Sequence, residues 1–259
     1  MALLNGHPAD PDVLRTLALT NYGHFTTMRV DDRRVPGLAR HLARLVRDCR
    51  TVFGAELDPE AVRRYVREAV GERAGALVVR VTVLDPGLDI GRPAAAHDPQ
   101  VLVTLRPAGA LPLPPLRVGT VRHQREVPQV KHTGLFGALH QRRAAQEAGF
   151  DDALFVGADG LVSEGPTWNV GFVEASGAVV WPRAEVLPGV TMALLQELHG
   201  HAVAPVAAEQ LPRMRAAFAT NTAIGVRPID TVDGTRLDAA HPVLVALRES
   251  YAAVRGEEL

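Results

Sequence analysis

Lysine is almost missing from this chain. Of its 28 lysine and arginine residues only Lys131 is a lysine, and the other 27 are arginines. Cysteine is equally scarce, with Cys49 alone, which excludes an intrachain disulfide and is compatible with a reducing compartment. Charge of either sign is not in excess. The net charge of −1 gives no electrostatic case for nucleic acid or an anionic membrane. No stretch approaches the roughly 20 apolar residues that span a bilayer, and the opening MALLNGHPAD lacks the basic start of a secretory signal. A cytoplasmic protein outside the membrane is expected. Phosphate-binding glycine motifs and the GxSxG elbow are absent. His199 and His201 have no third ligand at suitable spacing, so no metal site is expected.

The lone lysine is informative because arginine meets every other need for positive charge. An amine can lose its proton and act as a nucleophile, whereas a guanidinium stays protonated. By composition alone, a chance survivor and a chemical role are equally good accounts of Lys131.

Periodicity divides the chain into elements. Leu38, Leu42, Leu45 and Cys49 form one apolar stripe of a helix over 35–54, and Asp58 and Pro59 begin a second helix over 58–70. Leu77, Val79, Val81 and Val83 share one face of a strand over 76–84, with Arg80 and Thr82 on the other. A neighbouring strand is expected at 101–105. The proline-rich residues 108–116 read as a linker between domains of residues 1–107 and 117–259. Beyond it the pattern predicts a strand at 116–123, helices at 133–149, 187–200 and 242–256, hairpins at 152–165 and 168–182, and a strand at 216–222. Regular βαβ alternation is missing, so a doubly wound parallel sheet is not expected and the fold class is α+β.

If Lys131 forms a Schiff base with an aldehyde cofactor, a phosphorylated pyridine would need an anion cradle and a carboxylate for the ring nitrogen. Thr191, in PGVT at a helix start, either caps its helix or donates to a phosphate. ATNTA, residues 219–223, is either an ordinary turn or a second set of donors. Glu164 is either a surface carboxylate at a strand end or the partner of a pyridine nitrogen. Arg44 lies off the apolar stripe of its helix, exposed or in contact with phosphate. Arg80 is either on a solvated face or aimed into a pocket to take a carboxylate. His132 reads as a helix-start residue.

The order of these segments is more specific than any one of them. HLARL at 41–45, Lys131, SEGPTWN at 163–169, LPGVT at 187–191 and TNTAIGVRPI at 220–229 resemble the class IV (fold type IV) pyridoxal-phosphate enzymes. That family includes branched-chain and D-amino acid aminotransferases and 4-amino-4-deoxychorismate lyase. The resemblance implies a two-domain fold with a small N-terminal and a larger C-terminal domain, pyridoxal 5′-phosphate as cofactor, and a homodimer with the active site between domains. It implies Lys131 as the Schiff-base lysine and Glu164 as partner of the pyridinium nitrogen. Arg44, Val190, Thr191 and Thr222 would hold the phosphate, Leu187 would pack on a ring face, and the Ala223 N–H would face the phosphate or a substrate carboxylate. Arg80 matches a position that binds a substrate carboxylate in some members.

Two positions depart from the aminotransferase pattern. Phe136 stands where a tyrosine usually bonds the cofactor's phenolic oxygen, and Trp168 stands where branched-chain enzymes carry a glutamate, which implies a differently shaped substrate pocket. The expected activity is amino-group transfer between an amino acid and a 2-oxo acid. Phe136 and the Lys131–His132 pair favour the alternative, elimination of pyruvate from aminodeoxychorismate. A non-catalytic protein of the same fold is the third reading.

Overall fold

The computed structural model describes residues 2–95 and 97–259, which form two compact units. The first contains the described residues up to Gly109 together with Val130–Gly134 and Arg255–Leu259; the second contains Ala110–Gln129 and Leu135–Val254. Lys131, which lies within residues 117–259 and so was expected in the C-terminal domain, is thus part of the first unit.

The first unit is built on strands β1 (Ala2–Leu4), β2 (His7–Pro8), β3 (His24–Asp31), β4 (Arg34–Val35), β5 (Ala76–Leu84) and β6 (Gln100–Pro107). With the C-terminal Glu257–Glu258 they make a seven-stranded sheet, ordered Glu257–Glu258, β4, β3, β5, β6, β1, β2. Every pairing in it is antiparallel. Its helices are α1 (Pro11–Thr20), α2 (Leu38–Phe53) and α3 (Pro59–Val70).

Strand alternation turns Met28, Val30, Val79, Val81, Val83, Val101 and Val103 to one face of this sheet. There they meet the expected α2 stripe of Leu38, Leu42, Leu45 and Cys49, with Val62 and Val66 of α3. Asp58 caps α3 by accepting from the Glu60 N–H, and Gly54 ends α2 in the left-handed conformation at φ 62°. The opposite face of the central strands carries Phe25, Thr27 and Arg29 of β3 and Arg80 and Thr82 of β5.

The second unit has strands β7 (Leu116–Arg122), β8 (Asp152–Val156), β9 (Asn169–Val173), β10 (Val179–Pro182), β11 (His201–Ala204), β12 (Ala216–Asn221), β13 (Gly225–Val232) and β14 (Thr235–Arg236). The sheet order is β11, β10, β9, β12, β13, β7, β8, with β14 beside β13. It is mixed: β10–β11, β13–β7 and β7–β8 are parallel and the remaining pairs antiparallel. Helices α4 (Phe136–Glu147), α5 (Val190–Leu198) and α6 (Pro242–Ala252) complete the unit.

Leu195 of α5 and Leu244 and Leu247 of α6 pack with Trp181 and Phe218, whose rings meet edge to face. Ala138 and Ala145 of α4 pack on Ala153 and Phe155 of β8. Among the described residues no helix is long and apolar enough to cross a membrane.

A polar clamp closes the connection from β5 to β6. His97 Nδ1 lies 2.7 Å from Asp85 Oδ2 and Nε2 lies 3.0 Å from the Pro93 carbonyl, while the ring sits edge to face on Phe53. Both ring nitrogens have acceptors, so the imidazolium is favoured, and the Asp85 hydrogen bond raises the His97 pKa above its ordinary 6.5. A raised folded-state value means that the stabilisation is complete below the ordinary value and is lost as pH rises through the raised one. The thermal midpoint of His97→Gln should therefore fall below wild type at about pH 5.5, and the gap should narrow by about pH 9. A gap that does not change with pH would show that the imidazolium contributes nothing.

Candidate active site

Helix α2 presents two faces to the interior of the first unit. Beside the apolar stripe, His41, Arg44 and Asp48 recur at helical spacing, and all three are buried. A charge in such a place needs partners.

Asp48 is 0% exposed, and Arg47 donates to its Oδ1 from Nε and Nη2 at 3.0 and 2.7 Å. Its Oδ2 accepts the main-chain N–H of Lys131 at 3.0 Å. The Lys131 carbonyl accepts the Phe25 N–H at 2.8 Å, and Thr133 N–H donates to the Gly23 carbonyl at 2.9 Å. The segment around the lysine is thus an extra edge on the start of β3, pinned from the other side by α2. From there the Lys131 ammonium reaches the Phe25 ring, with Nζ 4.8 Å from the centroid.

Arg80 shares that ring, its guanidinium carbon 3.6 Å from the same centroid. Its Nε donates to Thr82 Oγ1 at 3.2 Å, and burial lowers its pKa. Among the described residues no carboxylate pairs with Arg80, so of its two expected settings the structure gives a half-buried, stacked guanidinium. Arg44 is 7% exposed; its Nη2 donates to Thr26 Oγ1 at 2.6 Å and its Nε has no partner. Burial pushes its pKa down to about 10, against the opposing pull of Asp48. This is a desolvated cation whose donors exceed the acceptors that the chain supplies, and it fits an oxyanion such as a phosphate.

In the second unit Glu164 is 4% exposed and closely held. Arg125 donates to its Oε1 at 3.1 Å, and the Leu187 N–H and Asn169 Nδ2 reach its Oε2 at 3.2 and 3.5 Å. Asn169 also donates to the Leu187 carbonyl at 2.8 Å, so Glu164, Asn169 and Leu187 form one hydrogen-bonded knot. The helix start beside it leaves no room: a Cβ at Gly189, the residue just before α5, would fall on Asn169 Oδ1.

Val190 and Thr191 open α5, both buried, with no side chain capping the helix and the Thr191 hydroxyl 3.3 Å from that of Tyr251. Helix-start N–H groups of this kind suit an anion. Thr222 and Ala223 lie in the turn after β12. The Ala223 N–H, expected to face an anion, instead donates to Asn221 Oδ1 at 2.8 Å, because the asparagine side chain closes its own turn.

The two positions that depart from the aminotransferase pattern are placed very differently. Phe136 begins α4 and is 80% exposed, its ring stacked on His140. Trp168 is 4% exposed, and its indole N–H donates to Asp152 Oδ2 at 2.8 Å while Arg142 grips the same carboxylate with two bonds. A Cβ at Gly165 would fall on the indole, so the glycine is required by the tryptophan.

Asp48, Arg125 and Asn169 were not singled out from the sequence, although the buried polar spacing at 41, 44 and 48 was there to be read. Asp48→Ala removes the acceptor of the Lys131 N–H and should cost about 1–3 kcal/mol in urea unfolding. Asp48→Asn keeps an acceptor and should cost less; equal losses would show that the bond to Lys131 is worth little.

A family model described as amino-transferase class IV matches residues 23–232. Among solved structures, the chain superposes on the branched-chain aminotransferase of the archaeon Thermoproteus uzoniensis with a TM-score of 0.86 at 23% identity, covering 97% of this chain and 93% of that one. The Escherichia coli branched-chain amino acid aminotransferase gives 0.86 at 19% identity, covering 100% and 95%. A hypothetical aminotransferase from Mycobacterium tuberculosis in its PLP-bound form gives 0.83 at 21%, covering 98% of each chain. No curated protein matches. At these identities the structures speak for the fold, and the family model, spanning most of the sequence, carries the assignment: the chain belongs to the class IV aminotransferases.

Proposed function

We propose that the protein is a pyridoxal 5′-phosphate-dependent aminotransferase that moves an amino group between an amino acid and a 2-oxo acid. The observation that carries this reading is Lys131: the single lysine of the chain, its backbone pinned at both N–H and C=O and its ammonium set against Phe25. When bound, the cofactor supplies an aldehyde that exchanges its oxygen for the substrate nitrogen and a ring that draws electrons from the substrate Cα. Lys131 Nζ is the amine for that aldehyde, a role that no arginine can fill. With the cofactor bound, the same Nζ would be the group that takes up and gives back the proton of the substrate Cα.

Arg44 binds the phosphate, aided by the Val190 and Thr191 N–H groups at the start of α5, the Thr191 hydroxyl and Thr222. Ala223 supports that turn, its own N–H being engaged by Asn221. Glu164, held by Arg125, Asn169 and the Leu187 N–H, accepts from the ring nitrogen, and Leu187 packs on a ring face. Arg80 takes a substrate carboxylate, Phe136 adjoins the substrate, and Trp168 shapes its pocket from behind. We place the enzyme in the cytoplasm as a homodimer.

The lyase reading is kept alive by Phe136, which has no hydroxyl for the cofactor's phenolic oxygen. The test is reconstitution with pyridoxal phosphate, borohydride reduction and peptide mass spectrometry. The expected result is one adduct, on the peptide containing Lys131, and loss of turnover by about 10³-fold or more in Lys131→Arg. Single-turnover assays with an amino acid alone should yield one equivalent of 2-oxo acid, with multiple turnovers only when a second 2-oxo acid is added. Pyruvate released catalytically from aminodeoxychorismate without an added oxo acid would assign the lyase. A protein that takes up no cofactor would leave the non-catalytic reading.

A further inference from the structure

We propose that Thr26 and His41 are positioning residues for Arg44, linked to it by a hydrogen-bond chain that can run in one direction only and that leaves the guanidinium Nε for an oxyanion. The inference rests on the reading of Arg44 as the phosphate-binding arginine and adds the device that holds it.

Arg44 Nη2 lies 2.6 Å from Thr26 Oγ1, and that oxygen lies 2.7 Å from His41 Nδ1. A guanidinium only donates, so Thr26 accepts from Arg44. The hydroxyl has a single proton of its own, and among the described residues His41 Nδ1 is the one acceptor in reach of it. Thr26 therefore donates to Nδ1, which must be bare, and the imidazole is neutral with its proton on Nε2.

The surroundings enforce the same state. His41, Thr26 and His24 are each 0% exposed, and His41 lies near the positive charges of Arg44, on its own helix, and Lys131, on the segment beside β3. Burial first, then those two cations, drive the His41 pKa well below its ordinary value. His24, two residues from Thr26 on the same strand, is likewise held neutral by burial, with a pKa of about 3. The one carboxylate on β3, Asp31, ends the strand five residues from Thr26 and is paired with Arg29.

The result is an imbalance of known sign. The Nε of Arg44 and the Nε2 of His41, one turn apart on α2, are buried without partners, and on this assignment both are donors. Fixing Nη2 on a neutral hydroxyl rather than on a carboxylate leaves Arg44 without a directly bonded anion, and Asp48, one turn along α2, acts on it only through space. A carboxylate at position 26 would have neutralised the guanidinium. Threonine holds the fork still without occupying its charge, and the oxyanion completes the pair.

The test uses the apoprotein. Nitrogen-15 spectra of the imidazoles should show wild-type His41 in the Nε2–H tautomer, with no titration between about pH 5.5 and 8.5. Thr26→Ser should keep that tautomer and wild-type affinity for inorganic phosphate and pyridoxal phosphate. Thr26→Val should mix the tautomers and weaken both ligands by about tenfold. A His41 with its proton on Nδ1, a His41 that titrates near its ordinary value, or a Thr26→Val protein that binds phosphate like wild type would each overturn the proposal. If Thr26→Val does not fold, the wild-type and Thr26→Ser spectra still decide. Arg44→Gln separates the two levels. Wild-type phosphate affinity in that variant would sink the reading of Arg44 itself, whereas lost affinity there with Thr26→Val unaffected would sink only the positioning role.

Discussion

Two opposite charges buried on one helix constrain the rest of the first unit. Arg44 and Asp48 lie four residues apart on α2, both withdrawn from water, in a helix whose remaining interior face is aliphatic. Neither could stay charged there without partners, and each takes its partner from a different part of the chain. Asp48 is met by Arg47, whose side chain stays 47% exposed and brings its head to the carboxylate from the solvent side. It is also met by the Lys131 N–H, 83 residues further on. Arg44 takes only a hydroxyl, and so remains short of an acceptor.

That difference gives the two charges different jobs. The carboxylate is satisfied by its own protein and so can hold backbone. It fixes the residues around Lys131 to the first unit although the chain before and after them belongs to the second. Main-chain bonds to β3 complete the attachment, and the lysine ammonium is set against the Phe25 ring. The arginine is not satisfied, and an unsatisfied buried donor is a standing demand for a ligand of the opposite sign.

The parts of this architecture that repeat were legible in the sequence. Helices α2 and α3 and strand β5 follow from stripes of apolar residues, and the structure places Leu38, Leu42, Leu45 and Cys49, and Val79, Val81 and Val83, in one core. Strand β3 was not read, because its inward positions at one end are His24 and Thr26 and its outward positions include Phe25, so hydrophobicity does not alternate. The broken alternation is where β3 gives up core packing to hold Arg44. Helix α1 buries no residue, and without a buried stripe there was no period to find. Strand β13 contains Pro228, which argues against a central strand, yet it pairs on both sides with a register shift after Ile229.

The candidate site divides the same way. Lys131, Glu164 and Arg44 stand out as candidates because an ordered set of short motifs marks them. Asp48 and Arg125 were not, because each acts through a contact with a residue 83 or 39 positions away, and no local pattern encodes such a contact.

The chemistry left unfinished differs between the units. In the first, the surplus is of donors: Arg44 Nε and His41 Nε2 are buried without acceptors, and two cations share the Phe25 ring. In the second, the central group is an acceptor: Glu164 is kept in place by Arg125, Asn169 and the Leu187 N–H, with the apolar body of Leu187 alongside. The first unit therefore asks for an oxyanion beside its one amine, and the second for a hydrogen-bond donor. Each demand corresponds to a different part of a phosphorylated pyridine aldehyde, and an anion alone would meet only the first.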